Sequence, residues 1–146
     1  MTDFLTVTDS LSVAPQITAD DVARAASEGY GLIINNRPDG EEGGQPLNSE
    51  LAELAAGHGI KWAHIPVVSG QLTMEGIEQM ALALKEDVKT LAYCRSGTRS
   101  CTLWGLAEAF TGGLATDEIL AKGGAAGYDL SGMAPTLEHL RASAQG

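Results

Sequence analysis

The run Leu91-Ala92-Tyr93-Cys94-Arg95-Ser96-Gly97-Thr98-Arg99-Ser100 decides the reading of this chain. Val88 to Tyr93 is a compact apolar segment of strand character, and it delivers a cysteine into a short loop of small residues. A helix is predicted where the loop ends, from Ser100 to about Phe110, closed by Gly112-Gly113. Successive backbone N–H groups of such a loop form a concavity that holds an anion. The helix behind it adds the positive end of its dipole and its unpaired amides. Arg99 adds a planar fork of donors suited to oxyanion oxygens. The same field favours the thiolate of Cys94, the form in which cysteine is a nucleophile. A buried structural cysteine at a strand end would not call for Arg, Ser, Gly, Thr and Arg beside it. Cys94 and Arg99 are therefore the candidate catalytic pair, and Arg95, Ser96, Gly97, Thr98 and Ser100 the candidate anion-binding or substrate-binding loop.

The rest of the chain alternates short apolar runs with amphipathic ones, which predicts an α/β domain with a largely parallel sheet. Residues 11–17 read as an edge strand, because Pro15 cannot donate to a central ladder. Thr18 reads as the cap of a helix reaching about Glu28, with Asp20 and Asp21 at its positive end. Residues 31–35 form a buried strand, and residues 36–48, rich in Gly, Pro and acids, an exposed loop. A helix capped by Asn48 or Ser49 follows, then a strand over 62–68 interrupted by Pro66. Thr73 caps a helix to about Glu86, and two more helical segments lie near 117–122 and 135–143. No linker or repeat divides the chain, so residues 1–146 are read as one domain with a core of about 10–140.

Composition narrows the function. With 146 residues, 44% of them hydrophobic, the chain is neither disordered nor in need of a metal or disulfide to fold. Nineteen acidic residues against nine basic ones give a net charge of −10, so nucleic acid and anionic membrane are excluded as partners. Two cysteines, Cys94 and Cys101, make neither a disulfide framework nor a zinc site, and no metal or cofactor is expected. Cys101 reads as packed against the sheet, with a resolving thiol as the alternative. His58 and His64 have no partner spacing for a metal, and Trp62 and Trp104 read as core. Arg37, after a strand, is a possible substrate-binding residue, or else the partner of Asp39 or Glu41. The N-terminus lacks the features of a signal peptide and no apolar run suffices for a membrane span, so a cytoplasmic protein is expected.

The cysteine loop resembles those of two families. Tyrosine and dual-specificity phosphatases carry Cys, five residues, then Arg, with a glycine three after the cysteine. Gly97 fits, but Arg99 follows after only four intervening residues. Six-residue loops beginning Cys-Arg-x-Gly resemble those of rhodanese sulfurtransferases, which hold a persulfide on the cysteine. Further segments extend the resemblance: Gln16-Ile17, Ile34-Asn35-Asn36-Arg37-Pro38-Asp39-Gly40-Glu41, Gln45-Pro46, Ile65-Pro66-Val67 and Ala126-Gly127-Tyr128-Asp129-Leu130. Over roughly Ser10 to Leu140 the chain resembles the small bacterial phosphatase-like domain found alone or fused to β-lactamase-like hydrolases. That resemblance implies a dual-specificity-phosphatase-like fold with a strand–cysteine loop–helix site. Its fusion partners resemble persulfide dioxygenases, which implies a role in sulfur metabolism.

A phosphatase of this kind is expected to supply an aspartate after Ile65-Pro66, where this chain has Val67-Val68-Ser69-Gly70-Gln71-Leu72 and no carboxylate before Glu75. The short loop and the missing acid together favour a cysteine-dependent sulfurtransferase carrying sulfane sulfur as a persulfide on Cys94. Thiosulfate or glutathione persulfide is the expected donor, a thiol the acceptor, and a persulfide dioxygenase-like protein a candidate partner. The alternatives are a phosphatase-like hydrolase with a phosphocysteine on Cys94, and a non-catalytic module sensing oxidants or anions.

Overall fold

Two strands at the centre of the sheet show why the chain folds as it does. In Leu32–Asn35 (β3) and Thr90–Tyr93 (β5) every residue is buried, and successive side chains enter opposite cores. Ile33, Leu91 and Tyr93 join one core, while Leu32, Ile34 and Ala92 join the other. A strand buried on both faces needs helices on both faces, and the chain supplies them. These elements belong to a computed structural model, which describes residues 2–68 and 71–145.

The sheet has five strands in the order β1-β2-β5-β3-β4, where β1 is Leu5–Thr6, β2 Leu11–Ala14 and β4 Lys61–His64. In this sheet, among the described residues, β1 pairs antiparallel with β2 and the other three pairs are parallel. One face is covered by α1 (Ala19–Ser27) and α2 (Asn48–Gly57), which bury Val22, Ala25, Leu51 and Ala55. The other carries α3 (Met74–Leu84), α4 (Thr98–Thr111), α5 (Thr116–Ala125) and α6 (Ala134–Gln145), the last preceded by a 3₁₀ turn at Ser131–Met133. Helix α4 packs against α3, α5 and α6, and the eight residues it buries include Cys101, Leu103, Trp104 and Leu106. Among the described residues, no helix is long and apolar enough to cross a membrane.

Several expectations need correction. The strand read as an edge is interior: β2 lies between β1 and β5 and ends at Ala14, just before Pro15, so the proline costs the ladder nothing. Two-residue β1, too short to show a period, takes the edge. The third strand stops at His64, short of Pro66. Helix α2 has Leu47 at its cap position, because the Asn48 side chain is engaged elsewhere: its Oδ1 accepts from Trp62 Nε1 at 2.8 Å and from Asn35 Nδ2 at 3.0 Å. That contact leaves Trp62 half-buried, whereas Trp104 is in the core. Thr18 does cap α1, reciprocally with Asp21.

Candidate active site

The C-terminal ends of all four parallel strands converge on Cys94, where the chain turns from β5 into α4. Strand β2 leads to Gln16, whose N–H donates to the Arg95 carbonyl at 3.1 Å. Strand β3 leads to Asn36 and Arg37, and the Asn36 N–H donates to the Tyr93 carbonyl at 2.8 Å. Strand β4 leads to Ile65 and Val67, which return their N–H groups to the carbonyls of Asn35 and Asn36. Asn36 also donates Nδ2 to the Ile65 carbonyl. The paired asparagines thus fasten three strand ends around the cysteine.

Cys94 is fully buried and its sulfur accepts the Gly97 N–H at 3.1 Å. Helix α4 begins at Thr98, two residues earlier than the sequence suggests, so Arg99 and Ser100 sit in its first turn. Their amides, with that of Ser96, have no protein acceptor among the described residues. These N–H groups lie in the loop that carries the sulfur, an arrangement of the kind in which backbone amides can meet an anion. Gly97 stands at φ 93°, the left-handed region, and a Cβ there would lie within 2.9 Å of the Tyr128 ring carbon that bears the hydroxyl. Tyr128 donates its hydroxyl to the Ser96 carbonyl at 3.1 Å, and so braces the loop from the far end of the chain. Ser96 and Thr98 join through their hydroxyls at 3.1 Å. The Ser100 hydroxyl is buried without a partner among the described residues.

Arg99 is gripped by Glu41. Its Nη1 and Nη2 donate to the two carboxylate oxygens at 2.7 and 2.8 Å, and Nη1 also donates to the Val67 carbonyl at 2.7 Å. This end-on grip leaves the edge formed by Nε and the second Nη2 hydrogen without an acceptor among the described residues. Glu41, and less strongly the Cys94 sulfur, holds Arg99 protonated beyond its ordinary range. Reciprocally, Arg99, and behind it Arg37, holds the Glu41 carboxyl down at about 2 despite the opposing pull of burial.

Arg37 lies underneath, only 3% exposed. It donates Nε to Glu41 at 2.8 Å, Nη2 to Glu42 at 2.8 Å and Nη1 to Gln16 at 2.9 Å. All three nitrogens are engaged, so Arg37 orders the carboxylates that position the loop arginines. Its own carbonyl meets His64 Nε2 at 3.1 Å. Arg95, by contrast, is exposed, with Nε 2.9 Å from Glu42. Arg37, Glu41, Glu42, Arg95, Ser96, Thr98 and Arg99 line a cleft of about 480 Å³.

Sequence reasoning missed Glu42, Gln16 and Tyr128 as parts of this site, and took Glu41 only as a partner for Arg37. Glu41 is 58 residues from Arg99, a pairing no local period reveals. Cys101 is buried in the core, where burial first, and the nearby Cys94 second, pushes its thiol up to about 12. His58 is exposed. Ser69 and Gly70, part of the segment expected to carry an acid in a phosphatase, lie outside the described residues.

Residues 3–111 match the sequence model of the family described as the phosphatase-like domain of beta-lactamase hydrolase-like proteins. The chain belongs to this family. Beta-lactamase hydrolase-like proteins of Xylella fastidiosa and Agrobacterium fabrum are 36% and 33% identical over 90% and 94% of the chain. The chain spans about a third of their length, 31% and 32% respectively. A candidate phosphatase from Neisseria meningitidis superposes with a TM-score of 0.82 at 32% identity, covering 94% of this chain and 98% of that one. A kinase associated phosphatase whose catalytic-site cysteine is replaced by serine shares the fold (TM-score 0.74, 16% identity, 100% and 96% coverage). The domain is phosphatase-like and built around a cysteine loop. These relatives favour the phosphatase alternative over the expected sulfur transfer.

Proposed function

We propose that the domain hydrolyses phosphomonoesters through a phosphocysteine on Cys94. The observation that supports this most is the buried Cys94 sulfur among free loop amides, with the open edge of Arg99 beside it. The sulfur attacks phosphorus, an S–P bond forms, and the bond from phosphorus to the ester oxygen breaks. Loop amides and Arg99 stabilise the charge spread over the non-bridging oxygens. Water then attacks the phosphocysteine, inorganic phosphate leaves, and the thiolate returns. Ser100, with its unpartnered hydroxyl one residue after Arg99, stabilises that thiolate as it departs.

The segment after Pro66 supplies no aspartate to protonate the leaving oxygen. Glu41 is locked as a carboxylate by two arginines, and the chain between Pro66 and Glu75 has no carboxylate to offer. General-acid help is worth about 10²–10⁴ in rate, so the enzyme favours esters whose leaving group departs unprotonated. Wild-type protein is expected to hydrolyse para-nitrophenyl phosphate at least about 10²-fold faster than glycerol phosphate, and Cys94→Ser neither. Sulfur transfer has two observations on its side, the four-residue gap between Cys94 and Arg99 and the missing acid after Pro66. No ester hydrolysis above the Cys94→Ser background, with thiosulfate sulfur retained on the wild type, would replace the proposal by that reading.

A further inference from the structure

We propose that Arg95 reads a second anionic group on the substrate, so that the site selects small phosphomonoesters whose body also carries a carboxylate or similar anion. The proposal rests on the phosphomonoesterase reading and names its substrate class.

The three arginines of the cleft are not equivalent. Arg37 is buried, and each of its three nitrogens donates once, to Glu41, Glu42 and Gln16. Arg99 keeps one free edge, next to the cysteine loop. The Arg95 side chain is 68% exposed and makes one charged contact, from Nε to Glu42 Oε1 at 2.9 Å. That oxygen already accepts from Arg37 Nη2 at 2.8 Å. Both Arg95 Nη groups therefore remain without an acceptor among the described residues. An ion pair this exposed adds little to stability. What it does is geometric: buried Arg37 anchors Glu42, and Glu42 holds the Arg95 guanidinium at the cleft wall with its planar donors still unspent.

The size and lining of the cleft point the same way. Its volume of about 480 Å³ falls in the range of small-molecule sites and exceeds what a phosphoryl group fills. The phosphoryl group is met by the loop amides and Arg99, so the body of the ligand lies beside Arg95, Ser96 and Thr98. A guanidinium fork and two hydroxyls suit a carboxylate, which arginine grips with two parallel hydrogen bonds. The chain carries a net charge of −10, so an unspent guanidinium at this cleft marks where an anion is admitted.

Affinity tests this without requiring turnover. Cys94→Ser protein is titrated calorimetrically with phenyl phosphate and with para-carboxyphenyl phosphate, then the Cys94→Ser/Arg95→Ala and Cys94→Ser/Arg95→Lys proteins likewise. A charge-assisted pair predicts that the carboxylated ester binds Cys94→Ser about tenfold or more tighter. Arg95→Ala is expected to bring the two esters within about twofold of each other, and Arg95→Lys to retain part of the preference. Equal affinities for Cys94→Ser, or a preference that survives Arg95→Ala, would overturn the proposal. If phenyl phosphate binds and wild type hydrolyses it without such a preference, the inference alone fails. If neither ester binds, it falls together with the phosphomonoesterase reading.

Discussion

Glu41 is the residue on which the position of Arg99 depends, since it takes two of the guanidinium's hydrogen bonds and shares an oxygen with Arg37. A glutamine in its place offers one acceptor and no charge. Glu41→Gln is expected to lower kcat/KM for an aryl phosphate by about 10- to 100-fold, the equivalent of one or two charge-assisted hydrogen bonds. The pH dependence of stability follows from the same contacts. The Glu41 carboxyl lies at about 2 in the folded chain against an ordinary 4.5, so its stabilisation is complete above 4.5 and lost as pH falls towards 2. The gap in Tm between wild type and Glu41→Gln should therefore be constant from pH 7 to 5 and narrow below 4.5; a gap that widens on acidification would contradict the assignment. Gly97 is constrained twice, by its left-handed backbone and by the Tyr128 ring. Gly97→Ala is expected to cost about 1–3 kcal/mol in urea unfolding. Adding Tyr128→Ala should recover only the part due to the clash, because the strained φ remains.

At the scale of elements, the helices beyond residue 111 are as necessary to the site as those within the family match. Ile119, Leu130, Leu137 and Leu140 complete the core around α4, and Tyr128 braces the loop that α4 begins. Burying each large aliphatic side chain is worth about 1.5–3 kcal/mol, so losing four rivals the whole stability of a typical domain, about 5–15 kcal/mol. A chain truncated after Thr111 is expected to lose its cooperative thermal transition by circular dichroism; an unchanged transition would show that α5 and α6 are accessory. What the sequence made legible here was local. The apolar runs of β3 and β5, the Thr18 and Thr73 caps and the Cys94 turn all declare themselves within a few residues. What it hid depends on distant pairing. Pro15 pointed to an edge that β1 occupies instead, and Asn48 is diverted from capping by Trp62. The acids of residues 36–48 read as an exposed loop with Glu41 as one local partner for Arg37; that pair forms, and the fold adds the distant ones, Glu41 to Arg99 and Glu42 to Arg95.

Across the whole molecule, one arrangement unites these observations. Four parallel strands end at one rim, each contributing to it: Gln16, the Asn35–Glu42 segment, Val67 and the Cys94 loop. A chain with a net charge of −10 gathers three of its nine basic residues there. The central claim is that this rim carries out phosphoryl transfer through Cys94. Its most direct test is intact-protein mass spectrometry of acid-quenched samples taken early in turnover of para-nitrophenyl phosphate, with Cys94→Ser in parallel. The account predicts one phosphoryl group added to the wild type, localised to the peptide containing Cys94, disappearing as substrate is exhausted and absent from the variant. Turnover with no phosphoryl adduct in the wild type, together with an equal rate in Cys94→Ser, would contradict it.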